Sequence, residues 1–177
     1  EAGGLTPENV ETAYQLDSEG GVGQTVAIVD AYDDPRIEAD LTAFDKRYGI
    51  QECSECFRKL NQEGRAGPLP AKDTIGWSVE ISLDVEAVRA ICHGCKIVLL
   101  EARSPSYANL ADAVSEAGSL GADEISNSYG GPEQGIGESA DASAFAQPGR
   151  VVTAATGDDG WEDWNLKEGS VNAPASL

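Results

Sequence analysis

Glu80 and Asp84 stand four residues apart in the run Trp77-Ser78-Val79-Glu80-Ile81-Ser82-Leu83-Asp84. On a helix that spacing puts both carboxyls on one face, within reach of each other. Like charges so placed repel, and the pair costs stability unless it shares a proton or a partner. Ile81, Val85 and Val88 mark the adjoining apolar face, so the acids border buried surface. Such a pair suits general acid–base work. The competing reading is a solvated acidic face, common in a chain with 31 Asp+Glu against 12 Lys+Arg.

A third acid, Asp158, closes the apolar run Val151-Val152-Thr153-Ala154-Ala155 and precedes Asp159-Gly160. A functional carboxyl suits the end of a strand, although Asp-Gly is also ordinary turn chemistry. The single histidine, His93, is wedged between Cys92 and Gly94-Cys95 and reads as a loop residue. That argues against a Ser-His-Asp triad. Any hydrolysis then runs through a carboxylate base or a metal-bound water. Gly20-Gly21-Val22-Gly23-Gln24-Thr25 is not a phosphate loop, because it lacks the lysine and precedes a strand instead of following one.

Four cysteines form two close pairs, Cys53/Cys56 and Cys92/Cys95. An even count suits disulfides in an oxidising compartment, and two C-x-x-C pairs also spell a zinc site. Zinc thiolates are lost in acid because the ligands must be deprotonated. Two short-range bridges, Cys53–Cys56 and Cys92–Cys95, are therefore favoured, although spacing alone does not fix the connectivity. No metal ligand set is assigned.

The elements that must position these groups alternate along the chain. Thr6-Pro7-Glu8 opens a first helix, with Val10, Ala13 and Tyr14 at helical spacing. Thr25 to Val29 is a continuous apolar run ending at Asp30, as in a buried parallel strand. Pro35 begins a helix whose core face is Ile37, Leu41, Phe44 and Tyr48, stopped by Gly49. Phe57 to Leu60 is a short strand and Gly64 to Pro70 a loop. Trp77 to Ile91 is helical, and Lys96 to Leu100 is a second buried strand. Leu110, Ala113, Val114, Ala117 and Leu120 line a helix closed by Gly121. Ile125 to Tyr129 is a strand entering Gly130-Gly131, Glu138 to Phe145 a short helix, and Val151 to Ala155 another buried strand. This alternation predicts an α/β fold with a mostly parallel sheet. Sites in such folds lie beyond the carboxyl ends of the strands, which singles out Asp30, the Ser126–Gly131 segment and Asp158.

A length of 177 residues and 41% hydrophobic content suit one domain with its own core. The net charge of −19 repels phosphate backbones and anionic lipid, so no nucleic acid and no membrane partner is expected. An acidic soluble surface explains that charge, as does work at low pH, where protonation relieves the self-repulsion. Glu1-Ala2-Gly3-Gly4-Leu5 has no basic region and no apolar core, unlike a signal peptide. It reads as a processed mature N-terminus or as a segment boundary.

Taken in order, several segments resemble the sedolisin (serine-carboxyl) peptidase family. Leu5-Thr6-Pro7 with Thr12-Ala13-Tyr14-Gln15-Leu16 is similar to the opening of its mature catalytic domain, and Gly23 to Pro35 to its first core strand. Glu80-x-x-x-Asp84 resembles its acid pair, Ser126-Asn127-Ser128-Tyr129-Gly130-Gly131 its substrate-lining strand, and Thr156-Gly157-Asp158 its oxyanion turn. The motifs span nearly the whole of residues 1–177.

The resemblance implies a subtilisin-like three-layer fold, of which this chain is a partial domain, the N-terminal portion of the catalytic domain. It implies Glu80 as general base, Asp84 as its orienting partner, and Asp158, protonated, as donor to the oxyanion. Ser126, Ser128, Gly130 and Gly131 would line a peptide or protein substrate. Secretion and activity in acid are implied as well. The family's serine lies in a Gly-Thr-Ser segment, and no serine here has that setting; the family's calcium site belongs to the same further portion, so no cofactor is expected in this chain. The expectation is therefore a piece of a cleaved or split enzyme, inactive alone, with a complementary C-terminal chain as a candidate partner. The alternatives are a non-catalytic pseudo-peptidase that binds peptide along Ser126–Gly131, and a zinc-stabilised α/β module.

Overall fold

Helix α1, Pro7–Tyr14, is set by local chemistry alone: Thr6 and Asn9 cap it reciprocally, and none of its residues is buried. Tyr14, expected at a packed face, is exposed, because a helix of eight residues lies on the surface here. The computed structural model describes residues 4–133, 140–158, 160 and 172–177.

The apolar runs become the sheet. Strands β1 (Thr25–Ala31), β2 (Phe57–Asn61), β3 (Lys96–Ala102), β4 (Glu124–Asn127) and β6 (Val151–Ala154) form one sheet in the order β2-β3-β1-β4-β6. Every pairing in it is parallel. A separate two-residue ladder joins β5 (Gly131–Pro132) antiparallel to β7 (Asn172–Ala173). β1 and β3, in the middle, are buried on both faces beyond their first residue. That is why they read as unbroken apolar runs rather than alternating ones.

Helices cover the two faces. α2 (Ile37–Tyr48) and α3 (Trp77–Ile91) pack Ile37, Leu41, Ile81 and Val85 onto Ile28, Ile97 and Leu99. α4 (Tyr107–Ser119) packs Leu110, Ala113, Val114 and Ala117 onto Ala27, Val29, Val98, Leu100 and Ile125. The result is the expected α/β arrangement, helix–sheet–helix, with a mostly parallel sheet.

The differences from the sequence pattern concern edges. Tyr48 is exposed and lies against Phe44, ring centroids 4.8 Å apart, beyond the end of the packed face. Leu120 caps α4 and is exposed. β6, read as a buried strand, shows Val151 58% exposed and alternating burial along its length, because it is the outermost strand. A 3-10 turn, Ala140–Phe145, stands where a helix from Glu138 was expected; Glu138 lies outside the described residues.

Both cysteine pairs are bonded, Cys53 to Cys56 and Cys92 to Cys95. The second bridge explains one glycine: Gly21 has φ +76°, and a Cβ there would stand 2.2 Å from Cys92 Sγ. His93, in the turn between these sulfurs, bonds Glu19 through Nδ1 at 2.8 Å. Arg89 fastens α3 to α2, donating to Asp45 Oδ1 at 2.8 Å, to the His93 carbonyl at 2.8 Å and to the Gln51 carbonyl. No helix among the described residues is long and apolar enough to cross a membrane.

Candidate active site

α3 is aimed by its N-terminal end. Asp73 accepts from the amides of Ile75 at 2.9 Å, Gly76 at 3.2 Å and Ser78 at 2.9 Å, satisfying donors that the first turn cannot pair internally. Those bonds hold the Asp73 carboxyl down at about 2. At the start of the helix, Trp77 meets Tyr129 with ring centroids 6.3 Å apart. Tyr129 lies just beyond β4, so the opening of α3 sits at the carboxyl ends of the strands, where α/β sites form.

Glu80 occupies the first turn and Asp84 the second. Asp84 is buried and accepts a hydrogen bond from Ser128 Oγ at 2.8 Å. Burial pushes its carboxyl up, and the Ser128 bond partly offsets that. Glu80 is half-buried; desolvation raises it first, then the charge of Asp84, then that of Asp158. The two helix acids are thus both raised, Asp84 with partial relief from Ser128 and Glu80 with the added charge of Asp84. Asp158, exposed in the turn after β6, presses electrostatically on the same Glu80. The structure therefore brings three acids from α3 and the β6 end into one electrostatic group.

The Ser126–Gly131 segment borders that group. Ser128 serves Asp84 through its hydroxyl. Asn127, buried at the end of β4, donates to the carbonyls of Ile125 and Thr153 and accepts from Tyr129 Oη at 2.6 Å. Gly130 and Gly131 run beside β7; a Cβ on Gly131 would meet Tyr107 Oη at 2.3 Å, and one on Gly130 would meet Asn172 Oδ1 at 2.9 Å. Ser126 lies within β4, half-buried.

Two features escaped the sequence reading. One is the Ser128–Asp84 bond, which needed the fold to bring residues 44 positions apart together. The other is the state of Asp30, which the strand-end rule had singled out without a role. It is fully buried, neither carboxyl oxygen has a hydrogen-bond partner, and burial with the charges of Asp84, Glu80 and Glu101 pushes it well up.

No family model matches this chain, and no curated protein matches it. Solved structures do. A Pseudomonas sedolisin, described as a serine-carboxyl proteinase complexed with two molecules of pseudo-iodotyrostatin, superposes with a TM-score of 0.81 at 24% identity, over 99% of this chain and 52% of that one. A lanthipeptide protease gives 0.58 at 16% identity, over 97% and 50%. The S218A mutant of the PatA protease domain gives 0.58 at 18% identity, over 91% and 57%. This chain has the fold of subtilisin-like proteases, and it spans about half the length of the solved structures it matches.

Proposed function

We propose that this chain is the N-terminal portion of the catalytic domain of a sedolisin-type serine-carboxyl peptidase. The observation that carries the reading is the acid group itself: Glu80 and Asp84 on one helix, with Asp158 acting on Glu80 across the sheet end, in a fold shared with proteases.

The chemistry follows from the residues. Glu80, ionised, accepts the proton of a serine hydroxyl as that oxygen bonds to the scissile carbonyl carbon. It returns the proton to the leaving amine as the C–N bond breaks. Asp84 orients Glu80 and is itself oriented by Ser128. Asp158, in its neutral form, donates to the oxygen of the tetrahedral intermediate. The donor must be neutral and the base ionised, so activity rises with pH through the raised Glu80. The need for a neutral carboxyl donor favours an acid working range, and the two disulfides agree with export. The segment at Ser126, Gly130 and Gly131 would pair with the substrate backbone.

No serine of this chain stands in a Gly-Thr-Ser segment, so the nucleophile is assigned to a further portion or a complementary chain, along with the calcium site. Among the described residues no strand pairs with the outer edge of β6. Beside it, Phe145, Val152, Ala154, Pro174 and Leu177 line an apolar hollow of about 300 Å³. An uncovered parallel edge with such a hollow is suited to a completing strand. The zinc-module alternative needs free thiolates, and all four cysteines are bonded. The reading is tested by joining residues 1–177 to a serine-bearing C-terminal half and assaying peptide cleavage across the acid range. Cleavage that survives Glu80→Gln undiminished overturns it.

A further inference from the structure

Behind the acid pair of α3 lies a second pair that the proposed chemistry does not use. Asp30 on β1 and Glu101 on β3 are directly opposed in the parallel register. Asp30 follows Ile28 and Glu101 follows Leu99 at alternate positions, so both carboxyls point to the face that α3 covers. Both residues are 0% exposed. Asp30 Oδ1 and Oδ2, Glu101 Oε2 and Asp84 Oδ2 are buried without hydrogen-bond partners. Four orphaned carboxyl oxygens in one layer is an expensive arrangement, since each buried and unpaired acceptor costs of the order of 1–3 kcal/mol, and more when charged.

One cation reaches this layer among the described residues. Lys59 on β2 bonds Asp33 Oδ1 at 2.6 Å and the Asp34 carbonyl at 2.9 Å, and stands 3.9 Å from Glu101 Oε1. Its charge is thus matched by Asp33 before Glu101 is counted. Glu101 Oε1 takes the Asp34 amide at 3.0 Å. Asp33 also faces Glu101, by charge and through a side-chain hydrogen bond, and Asp30 is faced by Glu80 and Asp84 from α3 and by Tyr129 beyond β4. All are acids, and Tyr129 offers its hydroxyl to Asn127. Two carboxylates so enclosed cannot both be ionised while α3 stays seated.

We propose that Asp30 and Glu101 are positioning residues for Glu80 and Asp84, a buried carboxyl pair that seats α3 on the sheet only while it holds its protons. The part that Glu80 and Asp84 play rests on the peptidase reading above; the coupling of the buried pair to α3 does not. Burial, with a smaller push from Asp33, moves Glu101 from its ordinary 4.5 up to about 8 against the partial relief of the Asp34 amide and Lys59, and burial moves Asp30 in the same direction. A carboxyl raised in the folded state stabilises fully below its unfolded value and loses that contribution as pH rises through the folded value. The window for Glu101 therefore runs from about 4.5 to about 8. In acid the pair is neutral and α3 is seated. As pH rises through that window the pair ionises and α3 is pushed away, taking Glu80 and Asp84 out of register. The buried pair, not the surface charge, would set the alkaline limit of the site.

The experiment is carried out on residues 1–177 without any substrate. Carboxyl carbon NMR follows Asp30 and Glu101 from pH 3 to 9, while hydrogen exchange follows the α3 amides. The expected result is that both keep their protons beyond the ordinary carboxylate range and ionise together with loss of α3 protection. Titration of both in the ordinary range with α3 intact overturns the proposal. Glu101→Gln, which keeps an acceptor for the Asp34 amide, should move the α3 transition upward by roughly one pH unit and leave it nearly unchanged in acid. A merely structural glutamate would instead lower protection equally at every pH, which also overturns it. Loss of the peptidase reading shows elsewhere, as undiminished cleavage by a completed Glu80→Gln enzyme, and leaves these titrations unaffected.

Discussion

Ser128 Oγ donates to Asp84 Oδ1 at 2.8 Å, tying the end of β4 to the second turn of α3. The bond holds the inner acid of the pair in one rotamer and lowers its proton affinity against the pull of burial. Removing the hydroxyl leaves the carboxyl buried with one acceptor fewer satisfied.

Ser128→Ala should therefore raise Asp84 further. A hydrogen bond to a charged group contributes about 1.5–3 kcal/mol. In a completed enzyme the loss corresponds to a drop in kcat/KM of about tenfold or more. Carboxyl NMR of the chain alone checks the first part. An Asp84 titration identical in the variant and the parent would sink the assignment.

Arg89 offers a test of stability apart from the site. It and Asp45 are each 3% exposed at the side chain, and Arg89 also serves two carbonyls. Arg89→Ala leaves a buried carboxylate unpaired and should cost about 3–5 kcal/mol in urea unfolding. Arg36, 79% exposed and paired with Asp40 at 3.5 Å, is the control. Arg36→Ala should cost less than about 1 kcal/mol. Equal effects of the two would contradict the burial-based account.

Asp73 gives a pH-dependent counterpart. Its carboxyl is lowered to about 2 by amides at the start of α3. A depressed acid contributes stability above its unfolded value and loses it as pH falls through the folded one, here between about 3.8 and about 2. Asp73→Ala should cost about 1 kcal/mol at pH 5, as for other lost caps, and almost nothing below pH 2. Acid unfolding curves of the two proteins would then converge at low pH. A constant gap between them would rule out the carboxylate as the stabilising form.

The central strands were legible because parallel strands covered on both faces carry unbroken apolar runs. The same signal misread β6: Val151 to Ala154 has the composition of a covered strand, but composition does not say whether a layer lies over it, and here it alternates between exposed and half-buried. The helix bearing Glu80 and Asp84 was legible from spacing, and α3 spans Trp77–Ile91. Glu101 was invisible. It follows Lys96–Leu100 as a strand-end acid, and only the register with Asp30 reveals it as half of a buried pair. The role of Ser128 was hidden for the same reason, since its side-chain direction depends on where α3 crosses the strand ends.

Base, oxyanion donor and nucleophile act as one unit in acyl transfer, so residues 1–177 alone should show no peptidase activity, and a serine-bearing completion should restore it in acid. In that completed enzyme Glu80→Gln should remove nearly all turnover, because an amide cannot accept the serine proton. Asp158→Asn should retain more, because an amide still donates a hydrogen bond, with a loss of about 10²–10³ expected for a weakened oxyanion donor. Asp84→Asn should shift the rising limb of the pH profile downward, because the charge of Asp84 is one of the causes that raise Glu80. These outcomes are read as kcat/KM against pH for a peptide substrate. Robust cleavage by residues 1–177 alone would reject the split of the catalytic unit, and a rising limb unmoved by Asp84→Asn would reject the coupling within the acid pair.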